Sequence, residues 1–248
     1  AAALAGADAV INLLGEPIAQ RWNDAARARI RDSRVLGTRM LHRGLRALAA
    51  ADRPRTLLSG SATGYYGPAD DRECDEEAPA GRDYLAEVVL AWEAEALAAQ
   101  DLLRVALTRT GLVLSPTGGA LAKMLPFFRA GIGGPVAGGR HYMPWVHIDD
   151  VVAALLFCID HVEVQGPLNL TAPNPVMNAE LSRELAAALH RPAVLPVPAL
   201  ALRVLYGQMA EIVTTGQRAV PRRLLDHGFA FAWPALEPAL RDVLSRRR

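Results

Sequence analysis

Two side chains that exchange protons in many enzymes lie three residues apart, Tyr84 and Glu87, in a segment with helical spacing. Residues three or four apart share one face of a helix, so the phenol and the carboxylate would be neighbours. A carboxylate raises the pKa of a nearby phenol, whereas Glu87 itself would serve as an acid or base if it were withdrawn from water. The alternative is that Glu87 is a solvated helix residue, as most glutamates are.

A second polar cluster combines His147, Asp149 and Asp150, with His141 nearby. Zinc sites use three or four nitrogen or sulfur ligands at compact spacing, and this set does not supply that number. Asp149 or Asp150 instead fits the N-cap of a helix over residues 151–160. We therefore expect no metal site.

The composition limits the class of protein. The chain has 248 residues, 51% hydrophobic, which suffices for one large α/β domain or one domain with a smaller appendage. A formal net charge of +1 gives no reason to expect binding to nucleic acid or to an acidic membrane surface. The longest apolar run, residues 151–159, is shorter than the roughly 20 residues that span a bilayer, and no signal peptide is visible. The two cysteines, Cys74 and Cys158, fit a reducing compartment, so we expect a soluble, cytoplasmic protein.

Strand and helix patterns alternate along the chain. Apolar runs predict strands at residues 9–14, 55–60, 103–114, 145–148 and 168–170, and amphipathic spacing predicts helices at 23–51, 85–96, 121–129 and 179–190. After residue 189, prolines precede two further predicted helices. This alternation predicts a doubly wound parallel sheet, in which ligands bind beyond the carboxyl ends of the strands.

Five strings in order carry a family resemblance: VINLLGEPIAQRW, RDSRVLGTRML, LLSGSATGYYG, LTRTGLVLSPTGGAL and PWVHIDDVVAAL. They resemble the extended short-chain dehydrogenase/reductase superfamily, and within it the atypical, NAD-dependent epimerase-like branch of epimerase family proteins. The strings NLTAPNPVMNAELSRELAAAL and GQRAVPRRLLDHGFAFAWPALEPALRDVL resemble the small C-terminal domain of that branch. The resemblance covers nearly the whole chain.

The resemblance implies a Rossmann-like doubly wound parallel sheet with a small mixed C-terminal domain. We expect a partial NAD(P)-binding domain at residues 1–165, to which 119–144 add the substrate side, and a C-terminal substrate or lid domain at 166–248. The superfamily begins with a strand, a G-x-x-G-x-x-G loop that binds the cofactor phosphates, and a helix, and the sequence contains no such motif. We therefore expect an N-terminally truncated product that lacks on the order of 50 residues, at roughly 30 per βαβ unit, and binds cofactor weakly.

The resemblance also implies a catalytic pair, Tyr-x-x-x-Lys, in which the lysine lowers the pKa of the tyrosine. Lys123 is the only lysine, and it does not follow any tyrosine by four residues, so this pair is absent. Tyr84 begins the corresponding helix. Ser61 fits the superfamily's strand-end hydroxyl, which would bind a substrate carbonyl or hydroxyl; the alternative is a serine that bonds backbone at a strand–loop junction.

Three groups of residues match the superfamily's cofactor-binding positions, in the turn after the first strand, on the next helix, and after the third strand: Asn12, Leu13, Gly15 and Glu16; Arg34 and Thr38; Arg109, Thr110 and Gly111. The first group would pass the adenine and ribose. On the helix, the arginine would meet a phosphate or the ribose edge, with a surface ion pair as the alternative. The third group would face the nicotinamide, mostly through its backbone.

We expect an epimerase-like or oxidoreductase-like protein that uses NADP, with NAD as the other choice, on a small, sugar-nucleotide-like substrate. The superfamily commonly forms homodimers through helices that correspond to residues 23–51 and 84–99. Two alternatives stay open, a non-catalytic dinucleotide-binding regulatory or structural protein and an inactive truncated product. The absence of the tyrosine–lysine pair favours the non-catalytic alternative.

Overall fold

The computed structural model describes residues 4–193 and 195–246, without the side chain of Leu205. The strands are β1 (Ala9–Asn12), β2 (Thr56–Ala62), β3 (Glu73–Cys74), β4 (Arg104–Thr110), β5 (Leu112–Leu114), β6 (Tyr142–Met143), β7 (Trp145–His147), β8 (Gly166–Leu170), β9 (Val176–Met177) and β10 (Arg218–Ala219). The helices are α1 (Asp24–Arg46), α2 (Tyr84–Leu97), α3 (Gly119–Arg129), α4 (Ile148–Asp160), α5 (Asn178–Ala188), α6 (Ala199–Tyr206), α7 (Ala210–Thr214), α8 (Arg222–Asp226) and α9 (Leu236–Ser245). The main sheet has the order β1-β2-β4-β8, and all its pairs are parallel.

The main sheet is covered on both faces. Successive strand residues point to opposite faces, so Leu57 packs with Leu45 of α1 and Ala96 of α2, while Leu58 packs with Ala154 of α4. Residues 56–61 of β2 and 105–109 of β4 are buried, so the polar side chains among them need partners within the protein. The predicted α/β fold with a parallel, Rossmann-like sheet is confirmed.

Helices α1 and α2 begin at side-chain caps. The Asn23 side chain accepts a hydrogen bond from the backbone N–H of Ala26 at 2.8 Å, and Asp83 accepts one from Ala86 at 2.8 Å. Each cap satisfies a backbone donor that has no partner within the helix. These caps fix where the two helices start, and an ion pair between Arg39 and Glu95 joins them.

The predicted cap of α4 is wrong. The residue before the helix is His147, whose Nδ1 accepts a hydrogen bond from the backbone N–H of Asp149 at 3.1 Å. Asp150 lies inside the first turn, where its buried carboxylate accepts hydrogen bonds from the backbone N–H groups of Ala232 and Trp233 at 2.8 and 3.0 Å. The aspartate therefore ties the C-terminal segment to α4, a long-range contact that local spacing does not predict.

The second half of the chain builds a core of its own. Leu125 of α3, Leu181 of α5 and Leu240 of α9 pack against Trp145 of β7. The short strand β10 pairs with β3 in a parallel register. The division into residues 1–165 and 166–248 stays a prediction. Strand β8, at residues 166–170, lies on the C-terminal side of that boundary but belongs to the main sheet.

Gly111 separates β4 from β5, so the strand predicted at residues 103–114 is two strands in the structure. Its backbone N–H donates to the carbonyl of Leu170 at 3.2 Å. A Cβ at this position would lie 1.9 Å from the carbonyl oxygen of Pro144 and 3.0 Å from Thr171 Cγ2. The glycine is therefore required for the close approach of the chain that precedes β7.

We expect Gly111→Ala to destabilise the fold by about 3 kcal/mol, since the backbone of Pro144 must move to admit the methyl group. Gly37→Ala is the control, because its Cβ would meet only Leu14 Cδ1 at 3.7 Å. In the interior of α1, this second change should stabilise the protein by about 0.5–1 kcal/mol. Urea unfolding would measure both, and equal midpoints for the two variants would contradict the close approach.

Candidate active site at the carboxyl edge of the sheet

The carboxyl ends of the parallel strands lie along one edge of the main sheet. In the register of the sheet, Ser61 of β2 is opposite Arg109 of β4, which is opposite Asn169 of β8. On the other side of β2, Asn12 ends β1 beside Ser59. The predicted strand-end residues are therefore brought to the edge where such sheets bind ligands.

Ser61 lies in a buried polar triad with Glu93 and Arg109. Its Oγ donates to Glu93 Oε1 at 2.6 Å. The Arg109 guanidinium donates from Nε to Oε1 at 2.9 Å and from Nη2 to Oε2 at 3.0 Å, which is a bidentate pair. The exposed fractions are 5%, 5% and 3% for Ser61, Glu93 and Arg109, so all three are withdrawn from water.

Arg109 is held by more than its ion pair. Its Nη1 donates to the hydroxyl of Tyr66 at 3.1 Å and to the carbonyl of Glu76 at 3.2 Å, and its Cζ lies 3.4 Å from the centroid of the Tyr65 ring. Burial lowers the pKa of Arg109, but the hydrogen bonds and charge of Glu93 outweigh it and raise that pKa above its ordinary value. The guanidinium therefore stays charged and fixed in direction.

The same network reaches the C-terminal part of the chain through Asn169. Its Oδ1 accepts from the hydroxyl of Tyr66 at 2.7 Å, and its Nδ2 donates to the carbonyls of Cys74 and Val220 at 3.0 and 2.9 Å. Burial raises the pKa of Tyr66 above its ordinary value despite the nearby Arg109. The phenol is therefore a neutral donor at physiological pH.

Glu76 completes this connection. Its carboxylate accepts from the backbone N–H of Asn169 at 2.9 Å and from that of Arg223, in α8, at 3.2 Å. Burial raises the pKa of Glu76, although these two hydrogen bonds act in the opposite direction. The loop after β2 and the C-terminal segment are thus joined at one buried carboxylate.

Two polar residues that were predicted to bind the cofactor, Asn12 of β1 and Thr38 of α1, bond to each other. Asn12 donates from Nδ2 to Thr38 Oγ1 at 3.0 Å, and Trp92 Nε1 donates to the same oxygen at 3.0 Å. Asn12 and Thr38 are both buried, whereas Leu13 and Gly15 are exposed. In this turn, the exposed surface is therefore formed by Leu13, Leu14 and Gly15.

Among the described residues, Arg34 bonds to backbone carbonyls and not to a surface carboxylate, and its contact with a cofactor stays a prediction. Its Nη1 donates to the carbonyls of Glu16 and Ile30, both at 3.0 Å, and its Cζ lies 5.3 Å from the centroid of the Trp92 ring. Burial lowers the pKa of Arg34. A Cβ on Gly15 would lie 2.9 Å from this guanidinium, so the glycine makes room for it.

Tyr84 and Glu87 lie at the start of α2 and away from the triad. The Tyr84 hydroxyl donates to the carbonyl of Arg27 at 2.7 Å, and the Arg27 guanidinium lies 4.4 Å from the centroid of its ring. Burial raises the pKa of Tyr84, against the effect of Arg27. Glu87 is exposed. Within the described ranges, no hydrogen bond connects either residue to Ser61.

The third predicted group continues the strand. Arg109 and Thr110 pair with β2 on one side and β8 on the other, and Thr110 Oγ1 donates to the carbonyl of Thr108 at 3.1 Å. Thr110 and Gly111 are half-buried, and the Gly111 N–H is bonded to Leu170. The buried Arg109 side chain points into the triad.

His147, Asp149 and Asp242 place their ligand-type atoms within 4.8 Å of one another. His147 Nδ1 accepts from the Asp149 N–H, so the proton lies on Nε2, which is 3.0 Å from Asp242 Oδ2. Arg246 pairs with both carboxylates. These contacts form an ion-pair network that holds α9 against the start of α4.

Sequence reasoning missed Glu93, Asn169 and Glu76 as parts of the site. A signal for Glu93 was available. Arg109 lies within a predicted strand, after the apolar residues 105–107, and a permanently charged residue that is buried there requires a buried carboxylate. Glu93 is the acid next to Trp92 on the apolar face of the predicted helix.

A protein-family model described as the NAD dependent epimerase/dehydratase family matches residues 1–170. The chain belongs to this family. A second, Domain of unknown function (DUF1731), matches residues 197–243. The predicted resemblance, including that of the C-terminal segment, is confirmed.

Relatives from distant organisms match nearly the whole chain. Epimerase family protein SDR39U1 homolog, chloroplastic, of Arabidopsis thaliana is 41% identical over 239 residues, which cover 96% of this chain and 69% of that protein. Human epimerase family protein SDR39U1 is 35% identical over 250 residues, covering 99% of this chain and 85% of that one.

Solved structures show the same fold. The crystal structure of human SDR39U1 (isoform2) with NADPH has a TM-score of 0.90 at 33% identity and covers 95% of this chain and 81% of that one. A nucleoside-diphosphate sugar epimerase from Corynebacterium glutamicum has a TM-score of 0.76 at 30% identity, with 96% and 46% covered. In residues 4–193 and 195–246, no helix has the length and apolar character to cross a membrane.

We expect Arg109→Met to cost about 3–5 kcal/mol of unfolding free energy, because Glu93 would stay buried without a partner. Arg109→Met with Glu93→Leu should cost less than the sum of the two single changes, since no charge is left unpaired. Arg39→Met, which breaks a more exposed pair with Glu95 of α2, should cost at most about 1 kcal/mol. Urea unfolding measures all four variants, and additive losses would contradict the coupling.

Proposed function

We propose that the protein is an NADP(H)-dependent oxidoreductase or epimerase that acts on a small, sugar-nucleotide-like substrate, with NAD(H) as the second cofactor. The observation that carries this proposal is Ser61 at the carboxyl edge of the parallel sheet, backed by Glu93. The human relative solved with NADPH supports the choice of cofactor. The relative from C. glutamicum, a nucleoside-diphosphate sugar epimerase, supports the substrate class.

The described residues fit the two ends of a dinucleotide. Leu13 and Gly15 form an exposed turn without a charged side chain, which suits an adenine and its ribose. The half-buried Thr110 and Gly111 would pass the nicotinamide. Asn12, Thr38, Glu16 and Arg34 would shape this wall from behind. The sequence contains no G-x-x-G-x-x-G loop for the pyrophosphate, and a bound cofactor would supply the hydride acceptor or donor.

The proposed roles of the protein's own groups are positioning and proton handling. Ser61 would hold the substrate beside the nicotinamide wall. Tyr84 and Glu87 would serve as a proton-exchanging pair only after the Tyr84 hydroxyl leaves the carbonyl of Arg27. Its raised pKa favours the protonated phenol.

A second candidate function is a dinucleotide-binding protein without turnover, with a regulatory or structural role. Two observations favour it. No tyrosine in the sequence has a lysine four residues later. The Tyr84 hydroxyl is bonded to a backbone carbonyl, where it has no path to Ser61 through a hydrogen bond of the described residues.

Calorimetric titration of NADPH and NADH into the chain would test the proposal. We expect saturable NADPH binding that Leu13→Glu weakens by about tenfold or more, because a carboxylate at that exposed position repels the cofactor's phosphates. Val162→Glu is the control, since Val162 is equally exposed but follows α4 at the opposite edge of the sheet. If neither cofactor binds at millimolar concentration, the proposal fails for this chain.

The two cysteines are buried and unpaired, which agrees with a reducing, cytoplasmic compartment.

We also propose a homodimer through the outer faces of α1 and α2, where Leu36, Met40 and Leu90 are exposed. Sedimentation velocity should then show a dimer that Met40→Arg with Leu90→Arg converts to a monomer. A monomer in the unmodified protein would end this part of the proposal.

A further inference from the structure

We propose that Glu93 takes the only proton of Ser61, so that Ser61 meets a ligand as a hydrogen-bond acceptor. The group that it holds is then a donor, a hydroxyl or an amine, and not a carbonyl. This inference rests on the proposed function, because it assumes that a substrate reaches Ser61. It narrows the expectation from sequence, which left the carbonyl and the hydroxyl open.

The protonation state of Glu93 follows from its contacts with Arg109. The Arg109 fork donates to both carboxylate oxygens, at 2.9 and 3.0 Å. A group that accepts from a guanidinium at both oxygens is an ionised carboxylate, which has acceptor sites and no proton to give. In the contact between Glu93 and Ser61, the serine must therefore be the donor.

The Ser61 hydroxyl can donate only one hydrogen bond. A serine hydroxyl has one proton and two lone pairs. The 2.6 Å contact to Glu93 Oε1 is short, as expected for a hydroxyl donating to an ionised acceptor. Only lone pairs are left for a ligand, so a ligand carbonyl would face an acceptor without a proton.

The surrounding contacts fix the direction of the hydrogen bond between Ser61 and Glu93. Turning the hydroxyl towards a carbonyl would remove one of the three hydrogen bonds that Glu93 accepts, at a position withdrawn from water. Moving Glu93 would break its pair with Arg109, which Tyr66, the Glu76 carbonyl and the Tyr65 ring hold in place. Glu93 and Arg109 are thus positioning residues that act through Ser61.

The location of the proton can be measured without a substrate. In Ser61→Cys, the thiol replaces the hydroxyl beside the carboxylate, and ¹³C-NMR of labelled cysteine Cβ follows its titration. A carboxylate in contact should raise the thiol pKa by about one unit or more relative to Ser61→Cys with Glu93→Gln. Ser61→Cys with Glu95→Gln is the matched control, because it removes one negative charge from the same helix at the pair with Arg39.

Equal thiol pKa values in the Glu93→Gln and Glu95→Gln backgrounds would overturn the inference. If Glu93→Gln does not fold, Ser61→Cys with Glu93→Asp takes its place. Its shorter side chain withdraws the carboxylate, so a thiol pKa below that of Ser61→Cys is expected, and an unchanged value overturns the inference. NADPH titration of unmodified protein separates this result from the proposed function, since cofactor binding without the thiol shift removes only the inference.

Discussion

Arg109 carries a permanent positive charge in the interior of a sheet, and Glu93 is the carboxylate that neutralises it. Withdrawing both charges from water is expensive, and their attraction compensates only when the geometry is good and the remaining donors are satisfied. Here the fork is bidentate, and the third nitrogen of the guanidinium bonds to Tyr66 and to the Glu76 carbonyl. These contacts hold α2 and β4 together, because a shift of either element would leave a buried charge without its partner.

The network also couples two parts of the chain that are far apart in sequence. Asn169 connects Tyr66 to the backbone at Cys74 and Val220, and Glu76 joins Asn169 to Arg223 at the start of α8. The short β3–β10 pair lies beside these contacts. The C-terminal segment that matches the domain of unknown function is thus bound to the loop behind Ser61, and its position and that of the site depend on the same buried hydrogen bonds.

The arrangement separates this protein from relatives of its superfamily that use a tyrosine and a lysine. A lysine beside the tyrosine makes the phenol more acidic, whereas here burial raises the pKa of both Tyr66 and Tyr84. The permanent charge near Ser61 is that of Arg109, which Glu93 neutralises. The Ser61 hydroxyl is oriented from behind by Glu93, and in our proposal this hydroxyl is the group that meets the substrate.

The sequence by itself determined the fold class and the family. The alternation of predicted strands with amphipathic helices favours a parallel sheet covered on both faces, and the ordered strings identify the epimerase family. It also placed Ser61 at a strand end. Only the tertiary structure decided what each polar side chain does: that Asn12 and Thr38 bond to each other, that Asp150 holds the C-terminal segment, and that Glu93 lies behind Ser61. The reason is physical. Hydrophobic periodicity is local and repeats along the chain, whereas the partner of a buried polar group is selected by packing between elements distant in sequence.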